Sequence, residues 1–189
     1  SDFFDQFKTE ENLIFVDPVM ADNGRLYPLF DLDFAYQMAR LCAKADIIVP
    51  NLTEACFLTG TEYREDYDEA YIEALLNKLA ALGTQRAVVL TGIAFQPGKT
   101  GVVGLDIQTG ERIACVHDRI PVSYHGTGDI FSSTTVGALT LGKSLQEALE
   151  IAADYTMSCI RETMEHDQQK KYGVNFELML PQLIHRLGH

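Results

Sequence analysis

The stretch Ile47-Ile48-Val49-Pro50-Asn51-Leu52-Thr53-Glu54-Ala55-Cys56-Phe57-Leu58-Thr59-Gly60 decides the fold. Its opening run of β-branched apolar residues reads as a strand buried on both faces, and proline fixes the exit of the chain from it. Thr53 to Leu58 reads as a short helix closed by Gly60. Asn51 stands at the junction, a polar side chain at the carboxyl end of a strand.

The same unit recurs on either side. Upstream, Leu13-Ile14-Phe15-Val16 is a buried strand ending at Asp17-Pro18. A turn-rich segment from Ala21 to Pro28 follows, then apolar residues at helical spacing (Phe34, Met38, Leu41, Cys42) between Asp33 and Ala43. Downstream, Tyr71 to Leu82 is an amphipathic helix with Ile72, Leu75, Leu76 and Leu79 on one face and Gly83 as its stop. It leads into the strand Ala87-Val88-Val89-Leu90, which ends at Thr91-Gly92. From Gly101 the pattern turns to alternation, and Val102 to Ile107, a turn at Gln108 to Glu111, and Arg112 to Val116 make an antiparallel hairpin. Buried strands alternating with helices predict an α/β fold, a mostly parallel sheet with helices on both faces and an antiparallel edge hairpin. In such sheets ligands bind beyond the carboxyl ends of the strands, so Asp17, Asn51 and Thr91 are expected to face one crevice.

A linking segment, Asp118 to Ser123, leads to Tyr124-His125-Gly126-Thr127-Gly128-Asp129-Ile130-Phe131, a glycine-rich turn that opens an apolar helix over Asp129 to Leu141. The glycines allow successive N–H groups to converge on one anion while the helix points its positive end there. Asp129 sits in the first turn. A carboxylate repels an anion it helps to surround, but it suits a base that takes a proton from an attacking hydroxyl. The plainer reading is a helix cap after a glycine turn. Leu145 to Met164 is a second helix with Leu145, Leu149, Ala152, Thr156, Ile160 and Met164 on a shared face. A polar loop from His166 to Lys171 and a last helix from Asn175 to Leu187 complete the chain.

With 189 residues and 47% hydrophobic composition, one domain spanning 1–189 is the natural count. No apolar run approaches the roughly 18 residues that span a bilayer, and no basic region precedes an apolar stretch at the start, which gives a soluble, cytoplasmic expectation without a membrane partner. Cys42, Cys56, Cys115 and Cys159 are scattered in apolar surroundings and read as buried free thiols. The net charge of -12 argues against a nucleic-acid surface and leaves room for a metal-nucleotide ligand.

Asp17-Pro18-Val19-Met20-Ala21-Asp22-Asn23-Gly24-Arg25-Leu26-Tyr27, Val49-Pro50-Asn51-Leu52-Thr53-Glu54-Ala55 and Gly126-Thr127-Gly128-Asp129-Ile130-Phe131, in this order, resemble the pyridoxal/pyridoxamine kinase branch of the ribokinase-like superfamily. The resemblance runs from about Leu13 to the final helix. It implies a three-layer ribokinase-like sheet and ATP-dependent phosphorylation of the 5′-hydroxymethyl group of a B6 vitamer (pyridoxal, pyridoxamine or pyridoxine). It implies Asp129 as the base on that hydroxyl, and the backbone of Gly126, Thr127 and Gly128 as an anion hole for the moving phosphoryl group. It also implies Asp17 and Asn51 facing the nucleotide phosphates, Thr91 near the phosphates or a monovalent cation, and Tyr27 on the loop over the nucleotide. Asp22 and Glu54 would order Mg²⁺ and its waters. Each has a plainer counterpart: Asp22 in Asp-Asn-Gly suits a turn, Asn51 suits a helix cap with Glu54 as its partner, Tyr27 suits packing, and His125 a spacer.

Ala21, Val49 and Gly92 stand where many members of this branch carry glycine, threonine and serine, and the missing hydroxyls bear on the monovalent-cation site. The strand ending at Asp17 begins only a dozen residues from Ser1, whereas the family carries a substantial portion before it that supplies the first strands and most acceptor contacts. The expectation is therefore a chain that keeps the nucleotide half of the site, lacks the N-terminal strands, and forms a homodimer when full length. The nearest rival is hydroxymethylpyrimidine (phosphate) kinase, which shares the Asp-Pro-Val-Met stretch and the glycine-rich turn. A non-catalytic nucleotide-binding or dimerising module is the reading from another class.

Overall fold

A computed structural model describes residues 2–122, 124–166 and 173–188. The chain divides into two compact units, Ser1–Val116 and His117–His189, each described by itself.

The first unit opens with α1 (Asp2–Phe7), which the sequence pattern did not reveal. It is tied down by the ion pairs Lys44–Asp5 and Lys8–Asp46. The strand β1 (Phe15–Val16) follows, then a small hairpin of β2 (Ala21–Asp22) and β3 (Arg25–Leu26) within the segment the sequence reads as turn-rich. Next come α2 (Leu32–Cys42), β4 (Ile47–Ile48), α3 (Leu52–Thr59), α4 (Glu69–Ala80), β5 (Ala87–Ile93), β6 (Lys99–Asp106) and β7 (Arg112–Asp118). The sheet order is β1-β4-β5-β6-β7, with β1, β4 and β5 parallel and β6 antiparallel to β5.

The apolar runs read as buried strands are buried: Ile47, Ile48, Ala87, Val88, Val89 and Leu90 have no solvent exposure. One core joins Ile48, Val88 and Leu90 to Val16, Met20, Cys42, Cys56 and the inner face of α4 (Ile72, Leu75, Leu76, Leu79). All four cysteines are buried free thiols. Two boundaries differ from the sequence reading. Helix α4 starts two residues early because Asp68 caps it, its carboxylate accepting from Tyr71 N at 2.8 Å. It ends at Ala80 rather than at Leu82, because Leu82 N and Gly83 N bond one turn back at i–3 spacing and tighten the coil before the glycine is reached. Strand β5 passes through Thr91-Gly92 to Ile93, since Gly92 at φ +73° forms a bulge after which Ile93 re-pairs with Gly101.

The second unit holds α5 (Thr127–Thr140), α6 (Leu145–His166), a 3₁₀ turn (Glu177–Met179) and α7 (Leu180–Leu187). The buried stripe of α6 runs Leu145, Leu149, Ala152, Tyr155, Cys159, Thr163, while Met164 is exposed. The expected stripe through Thr156, Ile160 and Met164 drifts off this face, because 18 residues make about five full turns and return Thr163, not Met164, to the line of Leu145. The last helix is shorter than expected, because Pro181 has no N–H to give a helix interior and sits instead in the first turn of α7. His166 ends α6, and the rest of the loop expected to Lys171, like Ser123 of the linking segment, lies outside the described residues. Among the described residues no helix is long and apolar enough to cross a membrane.

Candidate active site

In the first unit the parallel register aligns the polar strand ends. Val16 and Ile48 are Cα partners and Val49 N donates to Val16 O at 3.1 Å, so Asp17 follows β1 directly beside the exit of β4. Asn51 and Thr91 form an isolated parallel bridge, and Thr91 N donates to Pro50 O at 3.0 Å. Asp17, Asn51 and Thr91 thus stand at neighbouring strand ends of one sheet. Thr91 lies inside β5 rather than at its last residue.

Asn51 is also a helix cap. Its side-chain oxygen accepts from Glu54 N at 2.9 Å, and Glu54 Oε2 accepts from Asn51 N at 2.9 Å, a reciprocal capping box at the start of α3. The box extends to the β2–β3 hairpin. Glu54 Oε1 accepts from Met20 N at 3.1 Å, and Asn51 Nδ2 donates to Ala21 O at 2.9 Å. Glu54 is 3% exposed, and burial pushes its carboxyl up to about 7, against the backbone N–H groups that hold it down, with the Asp17 charge raising it further.

Asp22 is exposed at the end of β2, where its carboxylate accepts from Asn23 N at 2.8 Å and Asn23 Nδ2 at 3.0 Å, the turn role its sequence suggests. Tyr27 is 40% exposed, and its phenol is raised by desolvation and then by the charges of Asp22, Glu54 and Asp17. The charges of these three carboxylates all reach Tyr27. They do not form a tight cage: among the described residues the acidic and histidine trio with ligand atoms within 4.8 Å of one another is Glu162, Glu165 and His166, on the surface of α6. The α6 trio shows i, i+3, i+4 spacing that the sequence reading passed over, and His166 Nδ1 lies 2.9 Å from Glu162 Oε1.

In the second unit Gly126 adopts φ +84°, a left-handed conformation that a side chain would strain, and it starts α5 with no side-chain cap. Ile130 N donates to Gly126 O at 3.0 Å and closes the first turn, while Thr127 Oγ1 donates to Tyr124 O at 3.3 Å. The amides of the first turn are left for an incoming acceptor. Asp129 is not the cap. It is exposed in the first turn, with Oδ2 4.0 Å from where a Gly126 Cβ would stand, so its carboxylate lies over the glycine turn. His125 is exposed, as a spacer would be.

Parallel strands connected through helices, an antiparallel edge hairpin and aligned polar strand ends define a ribokinase-like α/β protein. The chain belongs to the phosphomethylpyrimidine kinase family, whose model matches residues 3–174, and within it is pyridoxal kinase-like. It is 32% identical over 158 residues to the pyridoxine kinase of Bacillus subtilis (strain 168), an alignment covering 82% of this chain and 56% of that protein. A Bacteroides thetaiotaomicron protein provisionally named a phosphomethylpyrimidine kinase, also crystallised in a form with pyridoxal, superposes with TM-score 0.92 at 34% identity over 97% of this chain and 63% of its own. The pyridoxal kinase of Leishmania donovani in complex with ADP and pyridoxamine superposes with TM-score 0.80 at 26% identity, covering 96% of this chain and 61% of that one. The chain thus spans little more than half the length of the Bacillus relative.

Proposed function

We propose that the protein bearing this chain is an ATP-dependent kinase that phosphorylates the 5′-hydroxymethyl group of pyridoxal, pyridoxamine or pyridoxine. The observation that carries the reading is the α5 start, a glycine turn without a side-chain cap and with the Asp129 carboxylate over it. Asp129 accepts the proton of the acceptor hydroxyl as its oxygen attacks the γ-phosphorus; the bond from that phosphorus to the bridging oxygen breaks and ADP leaves. The backbone of Gly126, Thr127 and Gly128 donates to the oxygens of the moving phosphoryl group. Asp17, Asn51 and Thr91 face the nucleotide phosphates from the strand ends, and Tyr27 covers the nucleotide. Mg²⁺, when bound, supplies charge neutralisation on the phosphates, its waters held by Asp22 and Glu54. Support for nucleotide and vitamer comes from the ADP and pyridoxamine of the Leishmania complex and the pyridoxal of the Bacteroides one.

The family's own description favours a second reading, hydroxymethylpyrimidine (phosphate) phosphorylation, which uses the same base and anion hole on a different ring. Incubation with Mg-ATP and each of pyridoxal, pyridoxamine, pyridoxine and hydroxymethylpyrimidine, with products identified by mass, separates the two. A phosphorylated B6 vitamer as the main product is expected. A main product from hydroxymethylpyrimidine transfers the function to the rival, and nucleotide binding without any product supports a binding module.

A further inference from the structure

The tip of the β2–β3 hairpin, two residues from Asp22, is held by a side chain to which no role has been given. Asn23 at φ +50° and Gly24 at φ +74° form a turn of type I′ character, which matches the twist of a two-residue hairpin. Gly24 N donates to Thr53 Oγ1 at 3.0 Å, and Thr53 is 2% exposed in the first turn of α3. On its other side Gly24 meets the ring of Tyr63: a Cβ there would lie 2.8 Å from Tyr63 Cδ1 and 3.0 Å from Cε1. The base of the hairpin is bonded to the same helix start through Met20 N on Glu54 and Ala21 O on Asn51. Base and tip are therefore bolted to α3 at separate points, and Asp22 stands between them.

We infer that Thr53 is a positioning residue for Asp22, locking the hairpin tip to the first turn of α3 with the Tyr63 ring as its backing. The hydroxyl acts through the Gly24 amide and does not touch the nucleotide. Loss of this bond frees the tip while the Glu54 and Asn51 bonds still hold the base, so the effect falls on the carboxylate that orders the metal and its waters. This consequence rests on the proposed metal-nucleotide role of the hairpin; the lock itself does not.

Thr53→Val keeps the shape and removes the acceptor, and Thr53→Ser keeps the acceptor and removes the methyl. Amide hydrogen exchange of Gly24, read by NMR in the nucleotide-free chain, should quicken about tenfold in Thr53→Val and stay near wild type in Thr53→Ser. Calorimetric affinity for ADP should fall about tenfold in Thr53→Val with Mg²⁺ present, change little in chelator, and return in Thr53→Ser. Unchanged Gly24 exchange in Thr53→Val overturns the lock. Faster exchange with unchanged Mg-ADP affinity overturns the positioning role. A wild-type chain that binds no Mg-ADP overturns the functional reading and the positioning role with it, leaving the exchange arm to decide the lock alone.

Discussion

Glu54 should make this chain less stable as pH rises through neutrality. Its carboxyl is 3% exposed and raised from 4.5 to about 7, chiefly by desolvation. A raised folded-state value means that the folded chain binds a proton more tightly than the unfolded one. The associated stability is full below about pH 4.5 and is lost as pH climbs through about 7. At about 1.4 kcal/mol per unit, the rise from 4.5 to about 7 corresponds to roughly 3 kcal/mol. Glu54→Gln removes the titration and one of the two backbone N–H acceptors, so it lowers stability by about 1–2 kcal/mol at low pH without adding a pH slope. Urea unfolding followed by circular dichroism, without divalent cations, gives both curves. The wild-type advantage over Glu54→Gln should shrink by roughly 3 kcal/mol between about pH 5 and about pH 8, and reverse sign. An advantage constant across that range would refute the buried-carboxylate argument.

Other expectations concern the frame around the site. Thr163, fully buried, donates to Cys159 O at 2.7 Å and accepts from Asn175 N at 2.8 Å; Thr163→Val strands that amide and should cost about 1–3 kcal/mol in chemical denaturation. Gly101→Ala should prevent normal folding, since its Cβ would lie 2.0 Å from Cys115 O, which circular dichroism and solubility would report. Gly137, in the exposed interior of α5 with nothing within 4 Å of an added Cβ, is the opposite case: Gly137→Ala should raise stability by about 1 kcal/mol, seen as a higher melting temperature.

The alternation of buried strands and helices was legible because Ile47-Ile48-Val49 and Ala87-Val88-Val89-Leu90 are uninterrupted and their helices carry clear stops and caps. Local signals also located the capping box of Asn51 and Glu54 and the glycine start of α5, since each depends on residues within a few positions. What stayed hidden depends on distance. The bond from Gly24 to Thr53 spans 29 positions and that from Met20 to Glu54 spans 34, so no local pattern could indicate that the Asp-Asn-Gly turn is a hairpin bolted to a helix. The division into units Ser1–Val116 and His117–His189 likewise has no compositional mark, because no proline- or glycine-rich linker separates them. Helix α1 escaped notice because its six residues are too few for the spacing of Phe3, Phe4 and Phe7 to stand out, and it buries none of them fully.

The central claim is that Asp129 is the base of an ATP-dependent phosphoryl transfer, and Asp129→Asn tests it most directly. Transfer from Mg-ATP to pyridoxal should fall by at least about 100-fold, while calorimetric affinity for ADP stays within about threefold of wild type. Transfer at the wild-type rate in Asp129→Asn would contradict the account.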